Sequence, residues 1–332
     1  MSSLRKWLFP FAPLYGVIVW LRNKCYDWGL FAQAEFEVPV LCIGNLSVGG
    51  TGKTPMTEWL LDYFAGKKKV AVLSRGYGRK TQGFRWVRPE DTALDVGDEP
   101  LQIARKFPGI TVAVDGNRRR GIAQLISKHT PDLILLDDAF QHRRVLPKIS
   151  LLLTTWDSPY SEQGYLPFGD LRDHKSQVRR ADAVVVTKCP ELPDLKTAQQ
   201  YRKRLGLAQA MPLAFATLSY GQITDNQGNL VKLEVLKDKD LTLVTGIARP
   251  EPLLNHLREI DLDFTHRRFG DHHVFTDKEI NEIRTAGNVL TTAKDATRLG
   301  RYLDAYYVIP VAHDFGKDYR NVLEEVLKGL WT

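Results

Sequence analysis

The chain has 332 residues, enough for two modest domains or one large one, and its 43% hydrophobic and 26% charged residues fit a folded globular protein without low-complexity tracts. A formal net charge of +7 favours anionic partners, but no zinc-finger spacing or aromatic-plus-basic RNA signature accompanies it, which argues against nucleic acid. Its three cysteines, Cys25, Cys42 and Cys189, form no C-x-x-C pair; this argues against a zinc ribbon or a disulfide framework and fits a reducing cytoplasm.

From Trp7 to Leu21 the chain carries no charge, with Arg5 and Lys6 before the run and Arg22 and Lys24 after it. The run is too short for a bilayer span of about 20 residues, and Pro10, Pro13 and Gly16 interrupt it. Trp20-Leu21-Arg22 offers no small-residue cleavage site, which argues against a secretory signal. After Pro13 the spacing predicts a helix with Leu14, Ile18, Leu21, Cys25 and Trp28 on one stripe. Two readings of residues 1–30 stand side by side. The helix packs on the protein's own core, or it lies in a membrane interface with its basic residues against lipid phosphates.

Residues 31–212 read as a doubly wound α/β domain with a mostly parallel sheet. The apolar runs Val38–Ile43, Val70–Ser74, Ile110–Val114, Leu133–Leu136, Ile149–Thr154 and Ala183–Thr187 lack polar alternation, as strands buried on both faces do. Helical stretches, among them Thr54–Ala65 and Asn117–Lys128, lie between them. After the first strand comes Ser47-Val48-Gly49-Gly50-Thr51-Gly52-Lys53-Thr54, a phosphate loop with Ser47 in place of the usual first glycine. Its backbone N–H groups would cradle a nucleoside triphosphate, Lys53 would reach the β- and γ-phosphates, and Thr54 would offer its hydroxyl to Mg²⁺.

Further along, Gly97-Asp98-Glu99-Pro100 sets a carboxylate where it could take a proton from an attacking hydroxyl, although an acidic turn alone is more often surface polarity. Asp137 and Asp138 end a buried strand, the place from which phosphate-loop enzymes organise Mg²⁺. Residues 213–236 read as a β-hairpin linker, Leu213–Tyr220 and Leu230–Val235 around the turn Asp225–Asn229. Residues 237–332 read as a smaller α/β domain, with strands at Leu241–Thr245, Val289–Thr292 and Tyr306–Ile309. Within it, Asp271-His272-His273 is by itself more often surface polarity than a tuned base or a metal site.

Taken in order, Gly44–Pro55, Ser74-Arg75-Gly76-Tyr77-Gly78-Arg79, Gly97–Pro100, Asp137-Asp138-Ala139-Phe140-Gln141-His142-Arg143, Thr245–Pro250, Asp271–His273 and Ala293-Lys294-Asp295-Ala296 resemble the tetraacyldisaccharide 4'-kinase family over nearly the whole chain. The resemblance implies an ATP- and Mg²⁺-dependent enzyme on the cytoplasmic face of the bacterial inner membrane. It would phosphorylate the 4'-hydroxyl of an acylated glucosamine disaccharide phosphate lipid to give lipid IVA, with peripheral contact to an anionic membrane and no obligate protein partner. By similarity, Asp98 is the base and His272 its partner. Lys53 and Thr54 contact phosphate and Mg²⁺, Asp137 and Asp138 are the Walker-B-like acids, and Glu99 and His142 hold other active-site positions. Arg75, Tyr77, Arg172 and Asp173 are further candidates. Ala139 stands where the family commonly has Gly, and Asp173 where it has Glu. The alternative is a phosphate-loop GTPase or ATPase switch such as a metallocentre-assembly factor; Val184–Lys188 begins like a guanine-specificity element, but Cys189-Pro190 replaces its aspartate. A membrane-bound nucleotide scaffold without chemistry is a third reading.

Overall fold

A computed structural model describes residues 11–332. Nine strands form one sheet in the order β14-β8-β7-β6-β1-β5-β2-β4-β3. Its centre is parallel: β1 (Val40–Asn45), β2 (Val70–Ser74), β4 (Thr111–Val114), β5 (Leu133–Leu136), β6 (Ile149–Thr155), β7 (Ala183–Cys189) and β8 (Leu213–Tyr220). The short β3 (Arg85–Trp86) and the C-terminal β14 (Val311–Asp314) close the two edges antiparallel. Every residue of β1, β2, β5 and β6 is buried, which explains the unbroken Val/Ile/Leu runs. Opposite-facing residues of one strand feed separate cores: Leu41 and Ile43 pack with Met56, Leu60 and Leu327, whereas Val40 and Cys42 pack with Ile122, Phe140 and Tyr201. Full burial of one such Leu or Ile is worth about 1.5–3 kcal/mol.

A five-stranded sheet follows, ordered β11-β10-β12-β13-β9, from β9 (Thr224–Asp225), β10 (Leu241–Thr245), β11 (Thr265–Arg268), β12 (Asn288–Thr292) and β13 (Tyr307–Ile309). Helices Glu251–Glu259 and Asp277–Thr285 connect its parallel strands.

Two sequence expectations about the C-terminal third are corrected. Residues 213–236 are not a hairpin linker. Leu213–Tyr220 is an interior strand of the large sheet, and helix Leu233–Lys237 takes over the second half of the expected second strand. The helix wins because it swings Leu236 fully into the small core, while the turn Asp225–Asn229 closes only one bridge, Thr224 to Leu230. Nor do residues 237–332 stay together. After Pro310 the chain returns to the large sheet as β14, and helix Gly316–Lys328 buries Leu323 and Leu327 in the large core.

Helix Phe11–Asp27 buries Ala12, Gly16, Val19, Asn23 and Tyr26. The apolar stripe read from the sequence lies on its other side: Leu14, Ile18, Leu21 and Trp28 are exposed, joined by Phe11 and Val17. So the helix does pack on the protein, but through Ala12, Gly16, Val19, Asn23 and Tyr26 rather than through that stripe. Among the described residues, no helix is long and apolar enough to cross a membrane.

Candidate active site

The phosphate loop runs from β1 into helix Lys53–Phe64. Gly49 and Gly52 hold φ of 103° and 83°, the left-handed region that glycine enters without strain. Its outward-facing groups are tied down. Asn45 donates to the Thr51 hydroxyl at 2.7 Å, Thr187 donates to the Thr51 carbonyl at 2.9 Å, and the His313 ring meets the Gly52 carbonyl at 2.9 Å. Burial lowers the pKa of His313 to about 4, so the ring is neutral and its Nε2–H is the donor. With these carbonyls held from outside, the loop's N–H groups are left for an anion.

Lys53 Nζ lies 3.7 Å from Asp138 Oδ1, and Arg172 grips the same carboxylate. Burial would raise Asp138, but Lys53 and Arg172 hold it at about 2, so it is ionised. Asp137 is fully buried and goes up to about 7, through burial and then the charges of Glu99 and Asp138. One of its oxygens has no hydrogen-bond partner; the other accepts from Ser74 Oγ at 3.3 Å. An orphaned, reluctant carboxylate beside the charges of Glu99 and Asp138 is what a hard divalent cation would satisfy, so Asp137 fits Mg²⁺. Asp138, already paired to two cations, is the less available oxygen donor.

Gly97, with φ of 92°, caps helix Asp98–Lys106; a Cβ there would meet the Gly76 Cα and the Tyr77 carbonyl at 3.0 Å. This close crossing sets Asp98 at the positive end of the helix, next to the Arg75–Tyr77 turn. Asp98 Oδ2 is 2.9 Å from His272 Nδ1, across 174 residues of sequence. Burial pushes Asp98 up, yet the His272 bond and the charges of Lys294 and Arg298 hold it below the usual carboxylate range. The Asp98 bond in turn raises His272, against burial and Lys294. His272 holds φ of 56°, and the Tyr77 ring lies 5.3 Å from its own. Asp98 is itself only 6% exposed in its side chain; Glu99 and His272 form the wall in front of it.

A cleft of about 1590 Å³ joins these groups. It runs from Ser47–Thr54 past Glu99, Asp138 and His272 to Ile18, Leu21 and Phe31 of the N-terminal region. Its volume exceeds the 300–1,000 Å³ of common small-molecule pockets. Arg75, Arg119, Arg143, Arg144 and Arg172 make one side strongly basic. His142 also lines it; burial, then Arg118 and Arg75, lower its pKa to about 4 and keep it neutral.

Of the residues singled out in the sequence, Asp98 and Asp137 are buried just behind the cleft lining, and Asp173 is taken up elsewhere. It is buried beneath the N-terminal helix, accepting from Asn23 Nδ2 at 2.7 Å and from the His174 amide at 2.8 Å. Several residues of the site escaped sequence reasoning. Lys294 touches both Asp271 and His272, and its only signal was its place in the Ala293–Ala296 match. Lys188 lines the cleft at the end of the run read as an incomplete guanine-specificity element; burial lowers its pKa to about 8. Asn45 was marked only by its place in the Gly44–Pro55 match, and His313 carried no sequence signal.

A parallel-sheet phosphate loop, a strand-end acid beside its lysine and a carboxylate–imidazole pair on the same cleft define a P-loop phosphotransferase. The family described as Tetraacyldisaccharide-1-P 4'-kinase matches residues 4–328. The chain is 42% identical over 319 residues to the tetraacyldisaccharide 4'-kinase of Bacteroides thetaiotaomicron, covering 90% of this chain and 83% of that one. It is 40% identical over 343 residues to that of Phocaeicola vulgatus, covering 97% and 94%. The crystal structure of "apo" form LpxK from Aquifex aeolicus in complex with ATP superposes with a TM-score of 0.80 at 27% identity, over 99% of this chain and 100% of that one. The chain belongs to the tetraacyldisaccharide 4'-kinase family. It is a phosphotransferase of lipid A biosynthesis, not a GTPase switch or an inert scaffold.

Proposed function

We propose that Asp98 is the base that takes the proton of the 4'-hydroxyl as that oxygen attacks the γ-phosphate of ATP held on the phosphate loop. The observation that carries this is the Asp98–His272 pair, joined at 2.9 Å on the cleft that also holds Lys53. The hydroxyl O–H bond breaks towards Asp98, a new O–P bond forms, and the β–γ bridging P–O bond breaks to release ADP. Lys53 and the loop amides neutralise charge on the transferring group, and His272 orients the Asp98 carboxylate. Arg172 holds Asp138 and so sets where Lys53 rests. Thr54 and Asp137, with Asp138 adjacent in the chain, would hold Mg²⁺, which would supply charge neutralisation for the phosphates.

The acceptor is a tetraacylated glucosamine disaccharide 1-phosphate. The basic side of the cleft suits its phosphate, and the apolar mouth at Ile18, Leu21 and Phe31 suits its acyl chains. The exposed stripe of helix Phe11–Asp27, flanked by Arg22 and Lys24, supports peripheral seating on an anionic bilayer at the cytoplasmic face of the inner membrane. No nucleic acid or obligate protein partner enters this reading.

The test is incubation of the protein with MgATP and the disaccharide lipid in detergent micelles, with the lipid weighed by mass spectrometry. The expected product is heavier by one phosphate; an unchanged lipid from protein that binds ATP would overturn the reading. Membrane seating has its own variant. Leu14 and Val17 are 59% and 58% exposed and lie outside the cleft lining. Leu14→Ser with Val17→Ser is expected to weaken partition onto anionic vesicles by roughly tenfold or more, given about 1.5–3 kcal/mol per apolar side chain removed from water. The thermal midpoint is expected to stay put, since neither side chain is packed. Unchanged sedimentation with vesicles would rule the stripe out as the membrane contact.

A further inference from the structure

Lys294 sits on helix Ala293–Leu299, at the C-terminal end of β12. Its ammonium lies 3.2 Å from His272 Nε2 and 2.9 Å from Asp271 Oδ1. An ammonium has three donors and no acceptor. The contact with Nε2 is therefore a hydrogen bond only when Nε2 carries the lone pair. That leaves the single ring proton on Nδ1, and Nδ1 is the nitrogen that faces Asp98 at 2.9 Å. The opposite tautomer would set two lone-pair groups, Nδ1 and the carboxylate, against each other. An imidazolium would set an N–H against the ammonium at a distance where like charge repels strongly.

We propose that Lys294 is a positioning residue for phosphoryl transfer: it fixes His272 as the neutral Nδ1–H tautomer that donates to Asp98 and resists formation of the imidazolium. The inference rests on the reading of Asp98 as the base. Protonated His272 would pair with Asp98 as a full cation and draw on the carboxylate needed to accept the hydroxyl proton; neutral His272 orients that carboxylate at less cost to its basicity. Asp271 has a matching part. It holds the ammonium in place, while its own oxygen stays 3.9 Å from His272 Nε2.

The other charged groups around His272 do not replace this contact. Asp98 comes from the N-terminus of its helix and favours the charged ring. Arg298, on the same helix as Lys294, lies 3.9 Å from Asp98 and donates to the His273 carbonyl and to Asp295 rather than to His272. The Tyr77 ring lies 5.3 Å from the imidazole, tilted by 60° to it. Glu99 lines the cleft next to Asp98, and its pKa is raised by burial first. Among the described residues, Lys294 is thus the donor that meets His272 Nε2.

The test uses the full-length protein with MgATP and the disaccharide lipid, in the Lys294→Met, Lys294→Arg and His272→Gln variants and the Lys294→Met/His272→Gln double variant. Met keeps the length of the stem, and Lys294 is partly exposed, so the fold is expected to survive; Arg keeps a cation and a donor. In Lys294→Met the acidic limb of the kcat profile is expected to move to higher pH, because the ring gains protons more readily once the ammonium is gone. At neutral pH kcat is expected to fall roughly ten- to a hundredfold, within the range attributed to general-base assistance. The KM for MgATP is expected to change less than about threefold, since the act is on the base and not on phosphate. Lys294→Arg is expected to recover much of both. In the His272→Gln background the Met substitution should add little, the non-additivity of residues acting as a unit. ¹⁵N spectra of the imidazoles, with His272 identified by its loss in His272→Gln, should show a deprotonated Nε2 in the wild type and tautomer mixing in Lys294→Met.

A wild-type pH profile in Lys294→Met would overturn the proposal even if activity fell. So would a large rise in KM for MgATP with an unmoved profile, which would make Lys294 a phosphate ligand. Full activity in Asp98→Asn would instead sink the base reading itself, so the two failures are told apart.

Discussion

Asp98→Asn is expected to lower kcat for lipid phosphorylation by about 10²–10⁴-fold while leaving the affinity for ATP nearly unchanged. Asn has the shape of Asp but cannot take a proton at neutral pH. Among the described residues, Asp98 has no hydrogen bond or ion pair to residues 47–54; it accepts from His272 and from the Glu99 amide at 3.1 Å. Its loss should therefore leave the phosphate loop standing. The sign of the pH response follows from the same geometry. Asp98 is held below the usual carboxylate range, so it is already ionised at neutral pH and its own titration lies well to the acid side. The limb nearer neutrality belongs to His272, which is raised by its bond to Asp98. Activity is thus expected to fall as pH drops through the His272 titration, and Asp98→Asn should lose that limb together with most of its rate. A variant that keeps its rate and its limb would remove Asp98 from the chemistry. ATP binding by calorimetry and lipid phosphorylation by radiolabel, on the same protein, separate the two effects.

The second large effect lies in the loop itself. Gly52→Ala is expected to abolish measurable ATP binding and to lower stability by about 2 kcal/mol or more. Two costs coincide. Gly52 has φ of 83°, which an L side chain reaches only with strain of about 1–2 kcal/mol. A Cβ there would also stand 2.7 Å from the Cε1 and Nε2 atoms of His313. That ring is not free to yield: it is 5% exposed, sits on β14, and is tied to the Gly52 carbonyl. Either the ring moves and the carbonyl loses its donor, or the loop moves and its amides no longer converge. Urea unfolding and nucleotide titration measure both costs. ATP affinity within a few-fold of wild type would mean that this clasp does not shape the loop.

The central strands were legible because a strand buried on both faces leaves an unbroken run of Val, Ile and Leu, and β1, β5 and β6 are of that kind. The helix expected at Asn117–Lys128 is found as Arg118–His129, capped by the Asn117 side chain, which accepts from the Arg120 amide. Leu213–Tyr220 misled because pairing partners are not written locally. A strand followed by turn residues looks the same whether it folds back on itself or joins β7 and a strand ninety residues on. The C-terminal return was hidden for the same reason, and with it His313. The N-terminal stripe was correctly read as apolar, but periodicity cannot say which side faces the protein. Ala12, Gly16, Val19, Asn23 and Tyr26 made the packed side, leaving Leu14, Ile18 and Leu21 outside.

The site shows a similar division. The phosphate loop could be read from residues adjacent in sequence. Asp271-His272 could not: a short acidic–histidine turn is ordinary surface chemistry until the fold sets it against Asp98. Only the family resemblance singled it out beforehand. Asp173 ran the other way. Its buried bonds to Asn23 and to the His174 amide tie the N-terminal helix to the body, and the shorter acid suits that packed position.

The most direct measurement is a crystal structure of the complex with a non-hydrolysable ATP analogue, Mg²⁺ and the disaccharide lipid. The 4'-oxygen is expected within about 2.6–3.2 Å of an Asp98 carboxylate oxygen and in line with the γ-phosphorus, with the acyl chains leaving past Ile18 and Leu21. A 4'-oxygen bonded to Glu99 instead, or an acceptor bound away from the cleft between the phosphate loop and His272, would contradict the assignment of Asp98 as the base.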